Sequence, residues 1–275
     1  MDGRKPPLHI LGGSPSKTLG QNFLIDVDVI RKSLLLAAVA PGDCVVEIGP
    51  GFGILTEQLL DAGADVYAVE LDRRLYEYLL ENLGQKYSKN FHLLHGDAVT
   101  FPRATLGNAQ PYKVVANLPY AISTPWLDAL LQGPLPQSMT LLLQKETAER
   151  IFSLEKSKRR SAISVRMEAA FGCNILYPVA PQCFFPQPKV QSILIHAQIR
   201  EIPFLFSDMS QIILRHCFNF RRKQLRGVIA SIEDAALRMR AMQWFGQLCT
   251  NAGERMKMVR AEDLPLRAWK MLDDF

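Results

Sequence analysis

The sequence predicts an α/β fold followed by a small all-helical region. From about residue 26 to residue 200, short apolar and β-branched segments alternate with amphipathic helical segments. That alternation is typical of a largely parallel sheet with helices packed on its faces. Beyond Pro203 the strand pattern stops and only helical segments follow. We therefore predict a mobile N-terminal tail at residues 1–16, a sheet domain at 17–200 and a helical domain at 201–275.

Each element follows from local spacing and from the residues that begin or end it. Asp26 is the predicted N-cap of the first helix, and Gly63 is the predicted stop of the second. We predict strands at residues 44–48, 65–69, 91–95, 114–116, 139–144, 174–179 and 192–196. We predict helices at residues 26–40, 54–62, 73–83, 126–131, 145–150, 161–171, 209–218, 221–231 and 239–251.

The 275-residue chain has the composition of a globular protein, with 48% apolar and 21% charged residues. A net charge of +5 and a pI near 9.0 favour an anionic partner, of which nucleic acid is the simplest. No apolar run approaches the roughly 20 residues that a membrane span needs. Residues 1–15 also lack the apolar core of a signal peptide. We therefore expect a cytoplasmic protein that does not bind membranes.

The cysteines and histidines indicate neither a disulfide framework nor a metal site. The five cysteines are scattered, odd in number and contain no CxxC pair. The five histidines form no HxxxH or HExxH pattern. We therefore expect reduced thiols and no metal cofactor.

The first strand–helix–strand unit has the pattern of a nucleoside-binding site. Its first strand is followed by the glycine-rich turn at residues 49–53, and its second strand ends at Glu70. A glycine-rich turn lets a ligand approach the backbone closely, and an acidic residue in that position can accept hydrogen bonds from both ribose hydroxyls. Glu70 lies 19 residues after Gly51, the spacing expected of a Rossmann-like sheet.

The glycine turn favours S-adenosylmethionine over a dinucleotide. The dinucleotide fingerprint requires a third glycine where this chain has Ile54, so a pyrophosphate would fit poorly. S-adenosylmethionine has a ribose and an adenine but no phosphate, and Glu47 inside the first strand also points weakly to it. A nicotinamide oxidoreductase is the alternative, disfavoured by Ile54 and by the absence of a candidate hydride-relay histidine.

Polar groups also follow the third and fourth predicted strands. Asp97 can accept a hydrogen bond from an adenine amino group, although it could simply cap a loop. The fourth strand leads into Asn117-Leu118-Pro119-Tyr120. The Asn117 side-chain oxygen and the Leu118 carbonyl can accept both hydrogens of an aromatic amine, and the Tyr120 ring can stack on its face. Pro119 helps to aim the Leu118 carbonyl, but the tetrapeptide could also be an ordinary strand-to-helix turn.

Two further features indicate nucleic-acid contacts. In the loop at residues 183–190, Phe184 could provide a second stacking face for a base or could fill the core. Clustered cations near Phe218 and Phe220 suit a phosphate backbone, although charge runs are also common on solvated surfaces. The candidate RNA-binding cations are Lys158, Arg159, Arg160, Lys189, Arg221, Arg222, Lys223 and Arg226.

With these motifs assembled, the chain resembles the ribosomal RNA adenine N6-dimethyltransferases, most closely their small-subunit type. The similarity runs from about residue 17 to residue 265, and the order of its short motifs makes it specific. Ala116 departs from the glycine often found before the Asn. The matching segments are 19–24, 46–51, 69–72, 96–98, 117–120, the Phe-x-Pro-x-Pro-Lys-Val loop at 184–190, Phe-Asn-x-Arg-Arg-Lys at 218–223, and Arg-Ala-Glu at 260–262.

The resemblance implies a methyltransferase domain at residues 17–200, a helical rRNA-binding domain at 201–275 and roles for individual residues. S-adenosylmethionine would be held by Gln21, Asn22, Leu24, Gly49, Gly51, Glu70, Asp97, Ala98 and Asn117. The target amine would be gripped by Asn117 and the Leu118 carbonyl next to Pro119, with the flipped adenine between Tyr120 and Phe184. The substrate would be two adjacent adenosines in a hairpin near the 3′ end of small-subunit rRNA, within an immature ribosomal subunit, and we expect a monomer.

Two other functions share these motifs. A large-subunit enzyme of the antibiotic-resistance type has the Asn-x-Pro-Tyr and Phe-x-Pro-x-Pro-Lys-Val motifs, but the Phe-Asn-x-Arg-Arg-Lys segment favours the small-subunit type. An assembly or transcription factor could use the fold to bind nucleic acid, with methylation secondary or lost. The intact site residues argue against lost activity.

Overall fold

The computed structural model describes residues 7–11, 15, 20–108, 110–252 and 258–275. The chain divides into two compact units, which consist of Met1–Ala148 with Gly172–Ile199 and of Glu149–Phe171 with Arg200–Phe275. The chain passes from one unit to the other after Ala148, after Phe171 and after Ile199, and the predicted boundary near residue 200 coincides with the third of these positions. Residues 149–171, which the sequence analysis placed in the sheet domain, pack with the helical unit. The two units are defined only by how compactly their residues pack. The functional domains at residues 17–200 and 201–275 therefore stay a prediction.

The first unit is built on a seven-stranded sheet with the order β4-β3-β2-β5-β6-β9-β7. Strands β2 to β6 of this sheet run parallel to one another, and β9 is antiparallel to β6. Strands β1 and β8 form a separate antiparallel pair. The strands are β1 Phe23–Leu24, β2 Cys44–Ile48, β3 Asp65–Glu70, β4 Phe91–His95, β5 Lys113–Asn117, β6 Ser138–Gln144, β7 Phe171–Val179, β8 Phe184–Phe185 and β9 Ser192–Ile199.

The helices follow the predicted alternation. Asp26 is the N-cap of α1, and its carboxylate accepts hydrogen bonds from the backbone N–H groups of Asp28 and Val29 at 3.0 Å each. The helix after β3 ends in a π-helical turn, Leu80–Gly84. The helices are α1 Val27–Ala37, α2 Ile54–Asp61, α3 Arg73–Leu79, α4 Ser123–Leu130, α5 Lys145–Ile151, α6 Ala162–Ala170, α7 Asp208–Asn219, α8 Leu225–Ala230, α9 Ala235–Ala252 and α10 Leu266–Lys270.

The second unit differs most from the prediction at two helices. The helix predicted at 221–231 begins at Leu225, because the preceding basic residues lie in an exposed turn and Leu225 enters the core. The sequence analysis missed α10, a single short turn after Pro265 that carries Trp269 into the core. There the rings of Trp244 and Trp269 stack with their centroids 5.0 Å apart.

Part of the predicted mobile tail forms a short helix. Residues Leu8–Leu11 form a 3-10 helix, and Leu11 packs in a buried apolar cluster with Phe23 and Leu75. The Arg74 guanidinium donates a hydrogen bond of 2.5 Å to the Leu11 carbonyl. The rest of the tail, apart from residues 7 and 15, and Leu19 of the first matching motif lie outside the described residues. Within the described residues, no helix is both long and apolar enough to cross a membrane.

Candidate active site

A cavity opens at the carboxyl ends of β2 and β5, where the strand order of the sheet reverses. This position is where open α/β sheets bind their ligands. Three acidic side chains contribute to the wall, and the described lining residues include no lysine, arginine or histidine. The lining segments are residues 20–24, 47–52, 54–55, 69–71, 96–98 and 117–122, together with Leu75. All the predicted cofactor-binding residues therefore line one cavity.

The glycine turn after β2 has no room for side chains at two of its glycines. Gly49 and Gly51 have φ values of +64° and +62°, a region that favours glycine. A Cβ atom on Gly49 would lie 2.9 Å from the Pro119 Cγ, and one on Gly51 would lie 2.9 Å from a Phe23 ring carbon. The turn is therefore both strained for other residues and closely packed against two other walls of the cavity.

Glu70 joins the end of β3 to the glycine turn. Its two carboxylate oxygens accept hydrogen bonds from the Gly51 N–H at 3.1 Å and from the Asp72 N–H at 2.9 Å. Burial is the main effect that raises the pKa of Glu70 to about 7, and the hydrogen bonds to the carboxylate partly offset it. Each oxygen keeps further acceptor capacity, so the carboxylate suits a pair of ribose hydroxyls.

Glu47 places a second buried carboxyl in the cavity wall. The residue is 2% exposed, and its Oε2 atom has no hydrogen-bond partner among the described residues. Burial raises the pKa of Glu47 to about 8. The nearby Thr56 hydroxyl lowers that pKa somewhat. The hydroxyl oxygen of Thr56, like Oε2 of Glu47, has no hydrogen-bond partner among the described residues. The sequence indicated Glu47 only weakly, because a strand position does not reveal an unpaired atom.

We expect the substitution Glu47→Gln to stabilise the protein progressively as the pH rises. The pKa of Glu47 is about 8 in the folded protein instead of the ordinary 4.5, so the unfolded chain releases this proton at lower pH. The free energy of unfolding therefore falls as the pH rises through this window, by a few kcal/mol at most, since one pKa unit corresponds to ~1.4 kcal/mol. Glutamine does not ionise and avoids this loss.

Thermal unfolding at several pH values between about 5 and about 9 measures this difference. The melting temperature of Glu47→Gln relative to wild type should increase across the range. Glu81→Gln, at an exposed position, is the matched control for the substitution itself. A difference in melting temperature that did not change with pH would contradict an uncharged Glu47 at neutral pH.

The Asn117 carboxamide is oriented by its own hydrogen bond. Its Nδ2 donates to the backbone carbonyl of Asn22 at 2.9 Å, which leaves the Oδ1 atom for another donor. The carbonyl of Leu118 is the neighbouring acceptor. Neither of these oxygens accepts a hydrogen bond from a residue that the structure describes, and both residues line the cavity. Two acceptors without a donor among the described residues therefore belong to adjacent residues at the end of β5.

The Tyr120 ring lies at the same edge of the sheet. It is half-buried, lines the cavity and directs its hydroxyl to the hydroxyl of Ser192, 2.7 Å away. Burial raises the pKa of the Tyr120 phenol. Tyr120 therefore remains neutral at physiological pH and provides an aromatic surface to the cavity.

The adenine-binding prediction falls on an exposed turn after β4. One carboxylate oxygen of Asp97 accepts a hydrogen bond from the Val99 N–H at 2.8 Å, as in a loop cap. Asp97 and the buried Ala98 nevertheless both line the cavity. The loop cap uses only one carboxylate oxygen of Asp97. The other oxygen can therefore still accept a hydrogen bond from an adenine amino group.

The Asp72 carboxylate, which the sequence analysis did not single out as a site residue, holds residues 20–24 through Gln21. Gln21 Nε2 donates to an Asp72 carboxylate oxygen at 3.0 Å, and Arg74 forms an ion pair with the same carboxylate at 2.7 Å. The hydrogen bonds from Arg74 are the main reason that the pKa of Asp72 is lowered. Asp72 belongs to one of the motifs of the resemblance, but its contact with Gln21 spans 51 residues and has no local signal.

The structure places Phe184 in the core, which argues against the predicted stacking on a base. Its side chain is 1% exposed, belongs to the same apolar cluster as Ile30 and Leu194, and is absent from the cavity wall. In the β1–β8 pair, Phe184 lies opposite Leu24. Because successive strand residues face opposite sides, Phe185 takes the outward position and is 36% exposed.

The structure also corrects one of the predicted RNA-binding cations. Arg160 is completely buried and forms a 2.9 Å ion pair with Glu168, so it cannot reach a phosphate. Arg159 is exposed but is ion-paired with Glu149. Arg221 donates a hydrogen bond of 2.5 Å to the Lys158 carbonyl, which joins the two basic segments. The exposed predicted cations are Lys158, Arg159, Arg221, Arg222, Lys223 and Arg226 in the second unit and Lys189 in the first.

Within the part of the chain that the structure describes, no group of three or more histidine, cysteine, aspartate or glutamate side chains is arranged to hold a metal ion.

Comparisons with known proteins agree with this architecture. The family profile described as "Ribosomal RNA adenine dimethylase" matches residues 14–265. A ribosomal RNA small subunit methyltransferase A from Opitutus terrae is 46% identical over 264 residues, which cover 95% of this chain and 93% of the relative. The protein of the same name from a Synechococcus species is 35% identical over 272 residues, which cover 95% of this chain and 96% of the relative.

Solved structures support the fold. A dimethyladenosine transferase from Plasmodium falciparum has a TM-score of 0.71 at 24% identity and covers 90% of this chain and 94% of its own. The 23S rRNA methyltransferase ErmE has a TM-score of 0.61 at 23% identity, and the match covers 92% of this chain and 100% of ErmE. The predicted Rossmann-like α/β fold is therefore confirmed.

Proposed function

The chain belongs to the ribosomal RNA adenine dimethylase family, and we propose that it dimethylates N6 of two adjacent adenosines in the 3′-terminal hairpin of small-subunit rRNA. The methyl donor is S-adenosylmethionine. The observation that carries the proposal is a pair of acceptors, Asn117 Oδ1 and the Leu118 carbonyl, in a cavity with acidic side chains in its wall. Among the described residues, neither acceptor has a donor and no basic side chain lines the cavity.

The cavity residues fit S-adenosylmethionine better than a phosphate-bearing cofactor. Glu70 suits the ribose diol, Asp97 suits the adenine amine, and the unpaired Oε2 of Glu47 is a further polar atom available to the ligand. A pyrophosphate would meet these acids without a basic side chain among the described lining residues. This charge pattern disfavours a nicotinamide oxidoreductase.

The chemistry of the target amine explains why two acceptors are needed. The lone pair of an adenine N6 is delocalised into the ring, so the amine is a poor nucleophile. Hydrogen bonds to Asn117 Oδ1 and the Leu118 carbonyl localise the lone pair and stabilise the positive charge that develops on the nitrogen. When bound, S-adenosylmethionine supplies an electrophilic methyl group on its sulfonium. The Asn22 carbonyl holds the Asn117 carboxamide with its oxygen available throughout.

Capture of the base requires that the adenosine leave its stack, which costs a few kcal/mol and least in a single-stranded loop. The half-buried Tyr120 ring offers the base a stacking surface in the cavity. Stacking of a base on an aromatic side chain is typically worth roughly 1–3 kcal/mol. This interaction offsets much of the cost of flipping the base.

We assign the phosphate contacts to the exposed cations of the second unit. Lys158, Arg221, Arg222, Lys223 and Arg226 are exposed, and the Lys158 carbonyl is bound by Arg221. Lys223 also lies over the Phe220 ring, 5.1 Å from its centroid. Such a cluster of cations binds the RNA backbone without reading its sequence. Lys189 in the first unit is a separate candidate contact.

The proposed setting is the cytoplasm, where the protein acts as a monomer on immature small ribosomal subunits. The test is incubation of the purified protein with undermethylated small subunits and labelled S-adenosylmethionine, followed by mapping of the modified bases. We expect two labelled adjacent adenosines in the 3′-terminal hairpin. Labelling of large-subunit rRNA would instead indicate the antibiotic-resistance type, and binding to subunits without any labelling would indicate an assembly factor.

A further inference from the structure

We propose that Ser192 is a positioning residue for the reaction, because its hydroxyl fixes the stacking face of Tyr120. This inference rests on the proposed function, since it assumes that the target adenine stacks on Tyr120. Ser192 has no assigned role in the site described above and is absent from the cavity wall. It acts through Tyr120 and does not touch the substrate.

The contact joins a tyrosine in a turn to a serine on a strand. The Tyr120 hydroxyl and the Ser192 Oγ are 2.7 Å apart, although the residues are 72 positions apart in the chain. Tyr120 follows the end of β5 in a turn closed by hydrogen bonds from Ile122 N and Ser123 Oγ to the Pro119 carbonyl. Those bonds fix the backbone of the turn but leave the tyrosine side chain free to rotate.

Ser192 itself is held rigidly. It is the first residue of β9, lies opposite Gln144 in the ladder between β6 and β9, and is 0% exposed. The adjacent Gln191 carbonyl accepts a hydrogen bond of 2.9 Å from the Lys145 N–H. The serine hydroxyl is therefore a fixed point inside the sheet.

A hydrogen bond at the tip of the ring has a direct consequence for base capture. A tyrosine ring has two rotatable side-chain torsions, and fixing the hydroxyl restricts both of them. With its tip fixed, the ring presents one face to the cavity before the base arrives, so less conformational freedom is lost on binding. Burial raises the pKa of the Tyr120 phenol, which supports a neutral hydroxyl with no part in proton transfer.

A double-mutant cycle tests the proposal. The variants are Ser192→Ala, Tyr120→Phe and the two combined, and the readouts are the single-turnover methylation rate and its dependence on subunit concentration. Each single variant should reduce methylation at subsaturating subunit by about 2–10-fold, the range expected for one hydrogen bond. The double variant should be no worse than either single variant, because both substitutions break the same bond.

Two controls separate positioning from a general structural effect. Affinity for S-adenosylmethionine should stay at the wild-type value in all three variants. Tyr112→Phe is the matched control, because the Tyr112 hydroxyl is also buried and donates to a carbonyl, that of Pro134 at 2.8 Å, outside the cavity. Tyr112→Phe should leave the dependence of the methylation rate on subunit concentration unchanged.

Several outcomes would overturn the inference. A wild-type rate for either single variant, or effects that multiply in the double variant, would show that the Ser192 hydroxyl does not act through the ring. If Ser192→Ala fails to fold, Tyr120→Phe removes the same bond from the other side and decides alone. Absence of methylation by the wild-type protein would refute the proposed function and this inference together, whereas an active wild type with an additive cycle refutes only the inference.

Discussion

Asn117→Ala should bind S-adenosylmethionine but lose methylation by about 10²–10³-fold in single-turnover rate. The substitution removes the Oδ1 acceptor and leaves only the Leu118 carbonyl to polarise the amine. Removal of one preorganised hydrogen-bonding group from a transition-state site typically costs roughly 2.7–4 kcal/mol. The measurement is a single-turnover assay on small subunits, paired with equilibrium binding of the cofactor.

The two measurements are both needed because Asn117 also donates to the Asn22 carbonyl. If that bond mainly holds residues 20–24 over the cofactor, cofactor affinity should fall as much as the rate does. Asn82→Ala is the matched control, since the exposed Asn82 also donates to a backbone carbonyl, that of Tyr78 at 2.8 Å, outside the cavity. Methylation by Asn117→Ala at a near-wild-type rate would refute the assignment.

Phe184→Ala should destabilise the protein by about 3–5 kcal/mol, the usual cost of truncating a buried phenylalanine. The substitution leaves a cavity in the apolar cluster shared with Ile30 and Leu194. Because the ring is 1% exposed, we expect stability to change and not recognition of the base. Chemical denaturation of the variant and the wild type measures the difference in unfolding free energy.

Phe184→Leu separates the two roles that the sequence left open. Leucine retains most of the buried volume but has no aromatic face, so the variant should keep most of the stability and activity if Phe184 is a core residue. Phe185→Ala, at the outward position of the same strand, is the surface control. A Phe184→Leu variant of normal stability with impaired capture of subunits would favour base stacking after all.

The residues that the sequence predicted to bind the cofactor all line one cavity, because the signals that indicated them are local. Strand, glycine turn, helix and acid occur within one segment of the chain, and Glu70 and Gly51 meet as their spacing suggested, through a 3.1 Å hydrogen bond. Asn117 likewise follows its strand directly, and the carboxyl ends of parallel strands meet at one edge of the sheet. These features need no knowledge of distant contacts.

The features that the sequence missed depend on burial or on distant contacts. The two-residue strand β8 is too short to show alternation, so the sequence could not decide which of Phe184 and Phe185 faces inward. Arg160 belongs to a basic run, but charge alone does not report that its partner is Glu168. The orientation of Tyr120 depends on Ser192, far along the chain, and had no sequence signal.

The pairing of β1 with β8 has a consequence for the order in which the protein is completed during synthesis. Phe23 lies opposite Phe185, so the strand that continues from Gln21 and Asn22 of the cavity wall lacks its partner until more than 160 further residues have been translated. Closing so long a loop has a high entropic cost, and contacts of this separation slow folding. A nascent chain that has emerged only as far as β6 therefore contains the glycine turn and Asn117 but lacks the β-strand that braces residues 23–24 beside them.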